Sequence, residues 1–160
     1  MNVYKLSSNI FFIMAKILFG GPQELERGKP SPIHDDLIAR LRNEGHEVDY
    51  VTRGDDMMVG LNINALDQVR DRAGLRMGSY ALVLYDTGLF YDQAITLRRA
   101  ELFEQSVVGY LKLAGRPVIV LAEKEMSDLI ELCSLQAGFS QIQQPYDIEE
   151  FVEEVNAALN

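Results

Sequence analysis

The chain has 160 residues, of which 48% are hydrophobic and 24% are charged, and its net charge at pH 7 is −9. This size and balance fit one globular domain that needs no disulfide or metal staple, and they exclude an intrinsically disordered chain. The acidic charge repels phosphate backbones and anionic lipids, so it disfavours binding to nucleic acids and to membrane surfaces.

Residues 1–13 precede a segment that resembles a natural chain start. Met14 is followed at once by the strand-like run Ala15–Phe19. The apolar stretch around Met14 is interrupted by Lys16 and is far too short to span a bilayer. We therefore expect residues 1–13 to be an N-terminal extension that folding does not require, and residues 14–160 to form a single domain.

The first three predicted elements are a strand, a helix and a strand. The strand Ala15–Phe19 stops at turn formers, which are Gly20, Gly21 and Pro22. Ser31 and Pro32 then predict a helix start, and Gly45 ends that helix. Its inward positions, by helical spacing, are Ile33, Leu37, Ile38 and Leu41. Alternating apolar residues over 48–52 predict the second strand.

The rest of the chain repeats this alternation. Continuously apolar strands are predicted at Tyr80–Tyr85 and Pro117–Leu121, as expected where helices cover both faces of a parallel sheet. A weaker last strand spans Phe139–Gln143. Helices are predicted over 64–74, 92–114 and 127–138, and Asp147 caps a terminal helix with Glu150 at the reciprocal capping position.

Five strands alternating with five helices predict an α/β domain with a doubly wound, flavodoxin-like parallel sheet of strand order 2-1-3-4-5. A ligand site in such a sheet lies outside the carboxyl ends of its first, third and fourth strands. The residues predicted there are Gly20, Gly21, Asp86, Thr87, Ala122 and Glu123.

The charge and the cysteine content bear on the surroundings of the domain. Nine acidic residues lie between Glu123 and Asn160 against one cation, Lys124. We interpret them mainly as a solvated helix surface, with a basic partner as the alternative. The lone Cys133 cannot form an internal disulfide and favours a reducing, cytoplasmic location.

Two stretches resemble response-regulator receiver (CheY-like) domains. Tyr80–Leu89 is similar to the strand of that family that ends in the phosphoacceptor aspartate, with Asp86 at the acceptor position. The segment from Ala137 through Gln144-Pro145-Tyr146 to Glu150 is similar to its closing strand, Lys-Pro-aromatic turn and last helix. The resemblance implies a signalling role through phosphorylation of Asp86.

Most of the family's functional residues are replaced. The resemblance implies an acidic pair that holds Mg²⁺ after the first strand, where Gly20 and Gly21 stand. It also implies a hydroxyl residue where Ala122 stands and a lysine where Gln144 stands. The sequence therefore predicts a pseudo-receiver, a protein-interaction module with a degenerate pocket that dispenses with regulated phosphorylation.

Two roles for Asp86 stay open. It is either a phosphoacceptor, with Mg²⁺ as cofactor and Glu24 or Glu26 as a loop-borne ligand, or a strand end whose side chain bonds the backbone near Gly88. We expect no cofactor if Asp86 is inactive. We expect a protein partner, with a homodimer through terminal helices as one form.

An enzyme is the alternative function. Lys16–Pro22 and the run from Gly109 to Ile119 resemble nucleoside deoxyribosyltransferase-like proteins, which process nucleosides or nucleotides. That resemblance implies a glutamate nucleophile, but Val107 stands at its place and Glu104 lies one helical turn earlier. A separate candidate, His34, opens a helix, where we expect a surface position rather than catalysis. His34 and His46 are too poorly partnered in sequence to suggest zinc.

Overall fold

The computed structural model of the chain describes residues 2–5, 11–22, 32–52, 57, 80–90, 111–112, 115–122 and 136–160. Its first two strands, β1 (Asn2–Lys5) and β2 (Phe11–Met14), pair antiparallel in a sheet of their own. This hairpin corresponds to the predicted extension, and whether folding needs it stays a prediction.

The main sheet has five parallel strands. They are β3 (Lys16–Gly20), β4 (Glu47–Val51), β5 (Leu82–Asp86), β6 (Val118–Ala122) and β7 (Ser140–Gln143). Their order across the sheet is β4-β3-β5-β6-β7. Counted within this sheet, the order is 2-1-3-4-5, so the predicted fold and topology are confirmed.

The strand register brings the predicted site residues to one edge. Gly20 lies opposite Tyr85, Asp86 opposite Leu121, and Ala122 opposite Gln143. Since parallel strands end at the same side of a sheet, β3, β5 and β6 deliver their last residues side by side there. This edge is the carboxyl edge.

Within the described residues, two helices pack on one face of the sheet. A 3₁₀ turn (Pro32–His34) leads into α1 (Asp35–Asn43), and α2 (Ile148–Leu159) closes the chain. Alternate residues of the central strands meet these helices in one apolar core, which includes Ile17, Phe19, Leu37, Leu41, Leu82, Leu84, Ile119, Leu121, Phe151 and Val155. The residues that point to the opposite face of the central strands, Leu18, Val83 and Val120, are also fully buried. The central strands are therefore buried on both faces.

The helix ends follow local chemistry. The Glu150 backbone N–H donates to Asp147 Oδ1 at 3.1 Å, so the predicted cap of the terminal helix is present. Gly45 follows α1 with a φ of +94°, a left-handed conformation that glycine adopts without a steric penalty. The helix therefore ends where the sequence predicts.

At the start of α1, the residue that points inward is His34 and not the predicted Ile33. Ile33, predicted to point inward, is 62% exposed, and His34, predicted at the surface, is 0% exposed. The inward face of this segment is 34, 37, 38 and 41, which has the regular spacing of a helical stripe. The histidine therefore takes the buried place at the carboxyl edge.

Candidate functional site

The site is built around Asp86, the last residue of β5. Its side chain is almost fully buried, with the residue only 2% exposed. Carboxylate Oδ1 accepts a hydrogen bond from the backbone N–H of Gly88 at 2.8 Å, and Oδ2 lies 2.6 Å from His34 Nε2. Both carboxylate oxygens are therefore engaged by nitrogen donors from within the protein.

His34 reaches Asp86 because the 3₁₀ turn before α1 points it into the sheet edge. Its ring lies against Phe19 of β3, with ring centroids 4.8 Å apart. It is also nearly parallel to the ring of Tyr146, with centroids 5.8 Å apart and an interplanar angle of 14°. Two aromatic neighbours and a short bond to Asp86 thus fix both the position and the tilt of the imidazole.

A second hydrogen bond extends the site to Tyr146. The Tyr146 hydroxyl lies 2.7 Å from His34 Nδ1. An ionised carboxylate only accepts hydrogen bonds, so Nε2 of His34 carries the proton toward Asp86. In the neutral ring Nδ1 is then an acceptor, and the phenol donates to it. The result is a continuous chain from Tyr146 through His34 to Asp86.

The charge state of Tyr146 suits this role as donor. Burial raises the pKa of its phenol, and the carboxylates of Asp86 and Asp36 raise it further. The hydroxyl therefore keeps its proton at neutral pH and can donate this hydrogen bond.

Tyr50 fills the space next to Gly21, where the receiver resemblance places an acidic side chain. Its hydroxyl donates to the carbonyl oxygen of Pro22 at 2.8 Å, and burial raises the pKa of this phenol too. A Cβ atom added to Gly21 would overlap the Tyr50 hydroxyl. A carboxylate side chain at this position would therefore require Tyr50 to move.

The other predicted pocket residues face the sheet rather than the carboxylate. The Thr87 hydroxyl donates to the carbonyl oxygen of Leu121 at 3.3 Å, and Gln144 Nε2 reaches the same oxygen at 3.4 Å. Gly20 and Ala122 end β3 and β6 at the carboxyl edge, as predicted. These residues therefore lie together at the carboxyl edge, but the hydrogen bonds of Thr87 and Gln144 go to Leu121 and not to Asp86.

These residues do not fit a magnesium ion. Mg²⁺ requires near-octahedral oxygen ligands, usually one or two carboxylates together with water. Here each oxygen of Asp86 already accepts from a nitrogen, and one of those nitrogens belongs to a buried imidazole. Among the described residues, no three His, Cys, Asp or Glu side chains converge in a way that could hold a metal.

Some predicted residues lie outside the described part of the chain. They are Glu24, Glu26, Glu104, Val107, Glu123 and Cys133. The same is true of most of the three predicted middle helices. A glutamate nucleophile at Glu104 and a loop-borne metal ligand therefore stay predictions.

Comparison with known proteins bears on the fold. No family model and no curated protein matches the sequence. Several solved structures match nearly the whole chain. The receiver domain of Francisella response regulator 1452 matches with a TM-score of 0.57 at 15% identity, over 91% of this chain and 96% of that domain. A CheY-like receiver protein from Methanospirillum hungatei matches with a TM-score of 0.57 at 19% identity, over 92% and 94%.

The chain has the receiver fold. A third match, NtrX from Brucella abortus, has a TM-score of 0.56 at 20% identity over 92% of this chain but 27% of NtrX. The chain thus spans about a quarter of that protein's length. At such identities the likeness concerns the receiver fold itself. No helix within the described ranges is long and apolar enough to cross a membrane.

Proposed function

We propose that the chain is a receiver-fold interaction module in signalling, whose aspartate pocket is closed by His34 and does not carry regulated phosphorylation. A phosphoacceptor needs a carboxylate oxygen that is free to attack and a cation that neutralises the incoming phosphoryl group. His34 on Asp86 is the observation that carries the proposal, because it occupies one oxygen and one approach to it.

Three further features support the same conclusion. Gly88 occupies the second oxygen of Asp86, and Tyr146 holds His34 in place. The room for an acidic side chain after β3 is taken by Tyr50. The side chains at the hydroxyl and lysine positions, Ala122 and Gln144, supply neither of those groups. Each oxygen of Asp86 is therefore already engaged by a nitrogen, and the described residues contain no metal-binding set.

A module without chemistry acts through its surfaces, so the partner is a protein. The net charge of −9 argues against nucleic acid as that partner. Self-association through α2 stays a prediction. The exposed face of α2 carries Glu149, Glu150, Glu153 and Glu154, so a second copy docked there would meet like charge.

The proposal is tested with a small-molecule phosphoryl donor. The purified chain is incubated with acetyl phosphate and Mg²⁺ and read by intact mass, beside Asp86→Asn and an active receiver domain as assay control. We expect the chain to stay unmodified while the control receiver is labelled. A labile adduct of one phosphoryl group on the wild type that Asp86→Asn lacks would overturn the proposal.

A further inference from the structure

A groove runs between the start of α1 and the turn that leads into α2. Its volume is about 480 Å³, and we call it the α1–α2 groove. The residues that line it are Ile33, Asp36, Leu37, Gln144, Pro145, Tyr146 and Ile148. It lies beside the Asp86 pocket and shares Tyr146 with the chain of hydrogen bonds there, but Asp86 is not part of its lining.

The groove is apolar and open. Leu37 and Ile148 contribute aliphatic surface, and Tyr146 contributes an aromatic ring. Ile33 stands on its rim with 62% of its surface exposed, the single large hydrophobic side chain so exposed among the described residues. A small-molecule pocket encloses most of its ligand, whereas an open apolar groove with an exposed rim suits a side chain presented by a protein.

The charge around the groove selects one class of occupant. Asp36 is the charged residue in its lining, and Asp35, Asp147 and Glu150 are exposed at the adjoining helix starts. Arg40, a cation of α1, is paired with Glu149 and Glu44. Within the described residues, the rim therefore presents more negative than positive charge, which attracts a basic partner and repels a second copy of this acidic chain.

We propose that the α1–α2 groove docks a basic segment of a partner protein, with one apolar side chain seated against Ile33, Leu37 and Tyr146 and a neighbouring Lys or Arg paired with Asp36. This rests on the proposed function as an interaction module and names the surface and the partner chemistry. Apolar anchors in a groove typically supply most of the affinity, and rim charges supply rate and selectivity.

The test begins from a random-peptide phage library panned on the purified full chain. Peptides that enrich are synthesised and measured by fluorescence polarisation at low and high salt. Ile33→Glu and Asp36→Lys alter the groove at exposed positions, so both variants should fold, which circular dichroism checks. Glu153→Lys, on the exposed face of α2, is the matched charge control.

We expect enriched peptides to carry an apolar residue beside Lys or Arg and to bind more weakly as salt rises. Each groove variant should weaken binding about tenfold, equal to about 1.4 kcal/mol, and Glu153→Lys should change it less than about twofold. The proposal is overturned if no peptide family enriches, or if the peptides bind both groove variants as tightly as the wild type.

The outcomes separate this proposal from the proposed function. Peptide binding and phosphorylation are both measured on the wild-type chain, because Asp86 is linked through His34 to Tyr146 of the groove and substituting Asp86 can alter both readouts. Phosphorylation of Asp86 together with intact groove binding would refute the proposed function and leave the groove standing. If Asp86 is not phosphorylated but the peptides bind both groove variants as tightly as the wild type, the groove proposal is refuted and the proposed function stands.

Discussion

His34 Nε2 lies 2.6 Å from Asp86 Oδ2, and this contact joins the start of α1 to the end of the central strand β5. Fifty-two residues separate the pair along the chain, and both side chains are withdrawn from water. A buried carboxylate is tolerated only when its oxygens are paired. The contact therefore stabilises the carboxyl edge and also occupies the group on which receiver chemistry would depend.

Removing His34 should destabilise the fold strongly. His34→Ala leaves a cavity and an unpaired carboxylate oxygen, so we expect the free energy of unfolding to fall by about 3–5 kcal/mol. A double-mutant cycle with Asp86→Ala, measured by urea unfolding, should give a coupling energy of about 1–3 kcal/mol. Additive effects of the two substitutions would show that the contact contributes nothing of its own.

The Tyr146 hydroxyl should make a smaller, separable contribution. Tyr146→Phe keeps the stack on His34 and the edge contact with Phe151 but removes the hydrogen bond to His34 Nδ1. We expect a loss of about 1 kcal/mol in the free energy of unfolding. The matched variant Tyr50→Phe loses the bond to Pro22, so only Tyr146→Phe should shift the side-chain ¹⁵N resonances of His34. Unchanged His34 resonances in Tyr146→Phe would contradict the chain of hydrogen bonds.

A second histidine should make stability depend on pH. His46 is buried, and its Nδ1 accepts from the Ala15 backbone N–H at 3.1 Å. Burial lowers the pKa of His46 below 6.5, with Glu44 opposing in part. The unfolded state then binds a proton that the folded state resists, so this stability is complete above about pH 6.5 and is lost as pH falls below it.

His46→Asn isolates this effect, because an amide oxygen can accept the same hydrogen bond without titrating. Urea unfolding of both proteins between about pH 5 and pH 7 measures it. We expect the wild type to lose more stability than His46→Asn as pH falls across that range. Parallel pH profiles would show that His46 is not a proton-linked group in the fold.

The N-terminal hairpin should be dispensable. Strands β1 and β2 form their own two-stranded sheet and pair with no strand of the main sheet among the described residues. A chain that begins at Met14 keeps β3 and the Met14 side chain, which lies near Gly45. We expect its free energy of unfolding to stay within about 0.5 kcal/mol of the full chain. Loss of cooperative unfolding would show that the hairpin belongs to the domain.

The fold was predictable because its signals are local. Buried parallel strands appear as short apolar runs, and Gly45, Asp147 and the turn after β3 mark element ends by their own chemistry. The rules of parallel crossovers then leave few strand orders. The same local logic placed Asp86 at the carboxyl edge, since it follows directly on the strongest strand.

The contact partner of Asp86 was not predictable in the same way. His34 and Asp86 are 52 positions apart in the sequence, so no local pattern connects them. Ile33 is apolar and is therefore predicted to point inward, but His34 takes the buried position. One signal was available, because His34 with Leu37, Ile38 and Leu41 forms the complete i, i+3, i+4, i+7 stripe that Ile33 does not. What a buried histidine bonds to depends on tertiary packing, which no periodicity specifies.

A magnesium titration followed by NMR tests the central claim most directly. The backbone amide of Gly88 donates to Asp86 Oδ1, so it reports on any ion that reaches this carboxylate. If His34 and Gly88 close the site, added Mg²⁺ leaves the Gly88 amide and the His34 side-chain resonances without a saturable shift. A saturable shift at Gly88 that disappears in Asp86→Asn would contradict the account, because it would mean that Asp86 binds the ion that receiver phosphorylation requires.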